Sequence, residues 1–285
     1  MKNDPKQTAP PNEIKQIFTD YKNSIFSIQN DLEFWRGFLD RAIKDYPLTD
    51  NSIYSSLFHA YDYDYSTNSG YLCLDKEVFK IQVPDLNNKR EEFFGWIMNL
   101  SVLRAYNSIE ILLLRSIQKS YYPTMEDPIT GKKQTDLVQN EIKKYLKSNS
   151  LKISTKNNEH ILEFLKHKEP KIKTFVNHYL NVDLKTNWEN FFRLLSLLRN
   201  IIVHHGMIIQ PDIHNVIKSK AKDVFQRFFS LKESSDGHSI LFPTEKDFRN
   251  LITYINSLTL TLYKLIFGEN SYDFIGLISP DIKNK

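Results

Sequence analysis

The chain has 285 residues, 41% of them apolar and 25% charged, with a formal net charge of +4, so it can bury a substantial core without staples. Only 8 glycines stand against 19 Phe and 15 Tyr, which argues against a Gly-rich phosphate loop and a turn-dense β-barrel. Cys73 is the single cysteine, which excludes an intrachain disulfide and a four-Cys zinc site.

Residues 1–12 are polar, carry Pro5, Pro10 and Pro11, and lack the apolar stretch of a signal peptide. They read as a disordered tail. No apolar run is expected to reach the length of a membrane span. The expected setting is reducing and cytoplasmic, with no membrane partner. From Glu13 to Asp45, apolar residues recur in alternating steps of three and four (Phe18, Tyr21, Ile25, Ile28, Leu32, Trp35, Leu39, Ala42). That is the narrow seam of a long helix that caps a bundle or builds a dimer arm, and Pro47 ends it.

Residues 48–92 are irregular and tyrosine-rich, so 13–90 form an N-terminal region of long helix plus irregular segment. Tyr71–Leu74 and Val78–Val83 flank Asp75-Lys76-Glu77, a spacing that predicts a small β-hairpin. Glu91–Tyr121 is a second long helix, apolar around much of its circumference and therefore central in a bundle. Glu110 interrupts it, and is equally readable as a buried partner for Arg104 or Arg115.

Between Lys132 and Thr174 stand eleven lysines and no arginine against five acids. Helices are expected near 135–148, 158–168 and 170–180. The excess of charge makes Lys143, Lys144 and Lys147 candidates for contact with a polyanion, against the simpler reading of a solvated lysine-rich surface. Thr186 with Glu189 predicts a capping box for a helix that stops at Gly206. Further helices are expected at about 212–231 and 245–267, the second opened by Thr244 with Asp247. The intervening Ser234–Gly237 is a loop, and 269–285 form a tail. The fold class is all-α: a helical bundle over 91–268 with an added N-terminal helix and a small hairpin insertion.

On an ideal wheel, Phe191, Leu194, Leu195, Leu198, Ile201 and Ile202 share the core face of the 186–206 helix. Arg193, Ser196, Asn200 and His204 share the opposite stripe. Arg193 is an RNA-contact candidate on that stripe, although a surface ion pair accounts for it as well. Arg199 sits at the border, roughly 140° from His204, and His205 points toward the core side. An imidazole that titrates near neutrality, a fixed guanidinium fork and an amide suit phosphate-ester chemistry. RNA brings its own nucleophile in the 2′-hydroxyl, so the reaction calls for no metal and no other cofactor. Arg and His near a helix C-terminus also favour the macrodipole, and a solvated helix end accounts for the same residues.

Arg199-Asn200-Ile201-Ile202-Val203-His204, preceded by Trp188 and followed by Gly206, resembles the Arg-x(4–6)-His motif of the HEPN superfamily. The resemblance covers roughly Glu91 to Gly268 and implies an all-α bundle with the motif near the end of a core helix. It further implies an endoribonuclease in which Arg199 binds the scissile phosphate, His204 serves as acid and base, and Asn200 orients the substrate or the histidine. Glu110 would be the acidic residue many members carry on the first core helix, with Tyr106 beside it and His205 as a further supporting candidate. Members typically pair two motifs in a homodimer, and serve as toxins, phage-defence effectors or RNA-processing enzymes. The implied partners are an RNA substrate, a second copy, and an antitoxin or activator. Gly206 stands where toxins paired with nucleotidyltransferase antitoxins often carry Tyr, so control through that tyrosine is not implied. The alternative is a non-catalytic helical module that binds RNA or protein.

Overall fold

The computed structural model describes residues 11–45, 59–74, 86–125, 131–151, 158–233 and 237–268. Among them the elements run α1 (Pro11–Asp45), β1 (His59–Asp64), β2 (Ser69–Leu74), α2 (Leu86–Tyr121), α3 (Gly131–Ser148), α4 (Glu159–Lys168), α5 (Pro170–Asn177), α6 (Trp188–His204), α7 (Pro211–Phe228), β3 (Phe229–Glu233), β4 (Ser239–Pro243) and α8 (Glu245–Phe267). The class is all-α with two small antiparallel hairpins, β1–β2 and β3–β4. The predicted tails at 1–12 and 269–285 lie outside the described residues except for the first residues of α1.

The chain divides into two compact units, Met1–Asn30 with Ile97–Lys285, and Asp31–Trp96. The division falls inside α1 and α2, where the sequence placed it near residue 90. The reason is the seam of α1. Its first part, Ile14, Ile17, Tyr21, Ile25 and Ile28, is buried in the larger unit, whereas past Leu32 its Trp35 is exposed.

In the larger unit, α1 is tied to α8. The fully buried Tyr263 donates its hydroxyl to the Ile14 carbonyl (2.6 Å), and Tyr21 donates to Asn256 Oδ1 (2.7 Å). The phenol of Tyr21 is held above its ordinary range by burial. Val102, Leu112, Leu113, Leu114, Ile117 and Gln118 of α2 are all buried and together take up more than half of the helix circumference, as a central helix requires. A stretch of α2 is long and apolar enough, by length and composition, to cross a membrane (mean hydropathy 1.2), and 56% of it is buried within the protein. This differs from the expectation that no apolar run is long enough: Arg104 and Glu110 interrupt the stretch, yet its average stays apolar.

In the smaller unit, β2 pairs with β1, with Tyr61 opposite Leu72 and Tyr63 opposite Gly70. The expected partner, Val78–Val83, lies outside the described residues. A tight local turn selects the observed pairing. Asp64 accepts from the Ser66 N–H (2.8 Å) and hydroxyl (2.6 Å), and Asn68 takes a positive φ of 54°, the conformation Asn tolerates in turns.

Two further expectations change. Thr186 does not cap α6: its hydroxyl and N–H both go to Asp223 of α7, and Asn187 takes over, accepting from the Asn190 N–H at 2.9 Å. A charged partner from another helix outcompetes the local box. The helix expected to reach 231 stops at Phe228, because 229–233 alternate and find 239–243, pairing Leu231 with Leu241.

Candidate active site

The site is built where α2, the start of α4 and the second half of α6 meet inside the larger unit. Tyr106 and Glu110 are four residues apart on α2 and therefore neighbours on one face. Tyr106 is fully buried, and its hydroxyl accepts from Asn158 Nδ2 at 3.0 Å, with the Ser196 hydroxyl also in reach. Asn158 precedes α4 with φ 53° and makes no side-chain cap to that helix. Its amide serves α2 instead. Burial holds the Tyr106 phenol protonated far above its usual range.

Glu110 is half-buried. Its Oε1 accepts a long bond from Gln139 Nε2 of α3 (3.4 Å). Burial raises its carboxyl, while the Arg199 charge and the Asn158 amide pull it back. Neither partner foreseen for it is taken: Arg115 pairs with Asp20 (2.6 Å), and Arg104 reaches Ser27. A raised carboxyl binds its proton more tightly in the folded state, so stability is full below the ordinary value of 4.5 and is lost as pH rises through the folded value. Glu110→Gln is therefore expected to stabilise the fold at neutral pH and to make little difference in acid. Urea midpoints of the two proteins across pH check this, and a variant less stable at pH 7 would refute it.

Arg199 turns toward this α2 cluster. Its Nη1 donates to Asn200 Oδ1 at 3.0 Å, and its buried Nε has no hydrogen-bond partner. Of five donors, it uses one among the described residues. His204, just over one turn on, is the last residue of α6 and is exposed. No hydrogen bond or ion pair joins it to Tyr106, Glu110 or Arg199. His205, expected on the core side, is also exposed. It is the C-cap with φ −122°, ψ 14°, so the backbone has left the helix there and the wheel no longer applies. Gly206 and Met207 follow at φ 56° and 70°. The turn is pinned from outside α6: the Leu241 N–H bonds the Met207 carbonyl (2.9 Å), the Ile209 N–H bonds the Ser239 carbonyl (2.9 Å), and Asn99 of α2 donates to the Leu241 carbonyl (2.7 Å). The β3–β4 hairpin thus holds the end of the motif.

The structure brings together Tyr106, Glu110, Arg199 and Asn200, adds Asn158, Ser196 and Gln139, and leaves His204 beyond them. Sequence reading missed Asn158 because it lies 41 residues before Arg199 with no pattern linking the two. Arg193 is engaged by acids rather than open to phosphate: Glu189 lies at 2.7 Å, Glu163 at 3.6 Å and Glu159 at 3.8 Å. Lys144 pairs with Glu141 at 2.6 Å, Lys143 is half-buried, and Lys147 is exposed.

A different basic surface emerges on α7. His214, Lys218 and Lys222, spaced four apart, line a groove of about 350 Å³ with Gln226, over Phe225 and Phe229, and no acidic side chain among the described residues lines it. Burial and the neighbouring Lys218 push the His214 imidazole below its usual range. Among the described residues no three His, Cys, Asp or Glu side chains gather as a metal site. No protein-family model matches the chain, and no curated protein or solved structure matches it.

Proposed function

We propose that the chain is a metal-independent endoribonuclease of the HEPN type, acting as a homodimer in a toxin or phage-defence role and held in check or activated by a partner. The carrying observation is Arg199: a half-buried guanidinium anchored by Asn200, with only one of its donors committed among the described residues, close before an exposed histidine at the end of a core helix. The Arg199 fork binds two oxygens of the scissile phosphate. His204 accepts the proton of the 2′-hydroxyl as that oxygen bonds to phosphorus. The bond to the 5′-oxygen breaks, and an imidazolium returns a proton to it. The products are a 2′,3′-cyclic phosphate and a 5′-hydroxyl. Asn200 orients the fork, and Glu110 biases it by charge. The α7 groove offers lysines for the flanking RNA backbone.

A binding module without cleavage is favoured by one feature: Arg199 faces α2 while His204 faces solvent. The two readings separate on a single assay. Purified protein in EDTA should cut RNA and leave cyclic-phosphate ends, with His204→Ala reducing the rate by about 100-fold or more while circular dichroism stays unchanged. Binding without cleavage, or an equally active His204→Ala, would favour the binding module.

A further inference from the structure

The β3–β4 hairpin leaves one backbone edge open. Its two strands form a sheet of their own, and β4 is engaged on both sides. Toward β3 it sets Leu241 opposite Leu231 and Ser239 opposite Glu233. Away from β3, its Leu241 N–H bonds the Met207 carbonyl and its Ser239 carbonyl accepts from the Ile209 N–H. In an antiparallel ladder, opposite residues alternate between pairs that exchange their bonds and pairs whose bonding groups point outward. Leu241 and Ser239 point outward, so Leu231 and Glu233 do as well. The alternate set points inward, and there the Phe228 carbonyl takes the Thr244 N–H at 2.8 Å. The Phe229 N–H is spent on the Phe225 carbonyl at the end of α7. The Leu231 N–H and carbonyl therefore lie on the outer edge, and no described strand meets them.

That edge borders the α7 groove. Phe229 and Leu231 line it beside Phe225, and His214, Lys218, Lys222 and Gln226 complete it. Lys218 and Lys222 are exposed, and neither is in an ion pair with a described residue. An unpaired strand edge is a template for another chain. A peptide that adds to such an edge gains affinity from main-chain bonds and specificity from alternate side chains. Successive groove-facing side chains of an added strand lie two residues, roughly 6.6 Å, apart. A peptide with an acidic residue at every second position thus brings carboxylates past Lys222 and Lys218, while their aliphatic stems lie over Phe225, Phe229 and Leu231. A polynucleotide matches the charge but has no ladder of N–H and C=O groups to offer Leu231. The open edge and the lysines together favour a polypeptide.

We propose that β3 takes up an extended acidic peptide segment of another protein, which adds to the Leu231 edge as an outer strand and lays alternate carboxylates against Lys218 and Lys222. The segment and the flanking RNA of the proposed reaction need the same lysines, so each displaces the other. Only that last consequence rests on the ribonuclease reading.

The test is fluorescence anisotropy of the full chain with a labelled decapeptide of alternating glutamate and threonine. Wild type should bind it and should not bind the same peptide with lysine for glutamate. Lys218→Glu with Lys222→Glu should abolish binding. Two further peptides carry N-methyl groups, one on every glutamate and one on every threonine. One of them blocks the N–H groups that face β3 and should bind about tenfold or more weakly, the scale of one or two lost hydrogen bonds, while the other keeps its affinity. Leu231→Pro removes the outward N–H at an edge position that tolerates proline, and should weaken binding by about tenfold with circular dichroism unchanged. If that variant fails to fold, the two N-methylated peptides still decide. His204→Ala should bind as wild type does, which keeps this result separate from the ribonuclease reading. Absence of binding to the acidic peptide overturns the inference. Equal binding of the two N-methylated peptides overturns it as well, since charge alone then holds the peptide. Oligouridine bound through Lys218 and Lys222 in that case assigns the groove to RNA.

Discussion

Replacing Arg199 by Ala is expected to reduce EDTA-resistant RNA cleavage by about 100- to 1,000-fold, the scale of losing a preorganised donor to a developing phosphorane. Arg199→Lys should recover little of it. Lysine keeps the charge but not the fork, and the site is organised for a fork: Nη1 is fixed on Asn200 at 3.0 Å, leaving the rest of the guanidinium oriented. A second readout separates a catalytic Arg199 from a merely structural one. Arg199 lowers the Glu110 carboxyl against the larger effect of burial. Arg199→Ala should therefore raise that carboxyl further, whereas Arg199→Lys should largely preserve it. Cleavage rates and the Glu110 titration, followed by carbon-13 NMR of labelled Glu, should thus diverge for the lysine variant. Full activity of Arg199→Lys would overturn the bidentate role.

Tyr263→Ala is expected to cost about 3–5 kcal/mol, as for truncation of a buried aromatic residue, out of a total that for ordinary domains is only about 5–15 kcal/mol. The ring is fully buried, lies 5.3 Å from Phe18 and 5.0 Å from Phe267, and its hydroxyl closes on the Ile14 carbonyl. One side chain thus holds α8 against the start of α1. Tyr263→Phe isolates the hydrogen bond and should cost about 1–2 kcal/mol. Urea unfolding of the three proteins measures both. If Tyr263→Ala shifts stability by less than Tyr263→Phe is expected to, α1 is not held by this contact.

The helices were legible because burial writes its own period into a sequence. The steps of three and four from Phe18 to Leu32, the apolar stretch of α2 and the Phe191–Ile202 stripe each appear as elements, and most of the apolar positions on their core faces are buried. The placement of Arg199, Asn200 and His204 on one helix end followed from the same periodicity. Projection failed where the backbone stopped being helical, as at His205, and where a side chain's partner came from far along the chain. Thr186 looked like a cap until Asp223 of α7 took its hydroxyl, and Arg193 looked available until three glutamates from α4 and α6 closed around it. A local pattern records what a residue can do with its neighbours in sequence, and carries no record of a competing partner brought by the fold.

By itself the sequence determined the all-α class, the long first helix with its seam, and the Arg-Asn-x-x-x-His helix end, because periodicity and end signals are set by residues within a few turns of one another. Only the tertiary structure decided that Asn158 and Gln139 join Tyr106 and Glu110 around Arg199, that the β3–β4 hairpin pins the turn after His204, and that β3 keeps an open edge beside Lys218 and Lys222. Those outcomes depend on which elements meet in space, and the strength of a charge or a hydrogen bond is fixed by the burial and the partners found there.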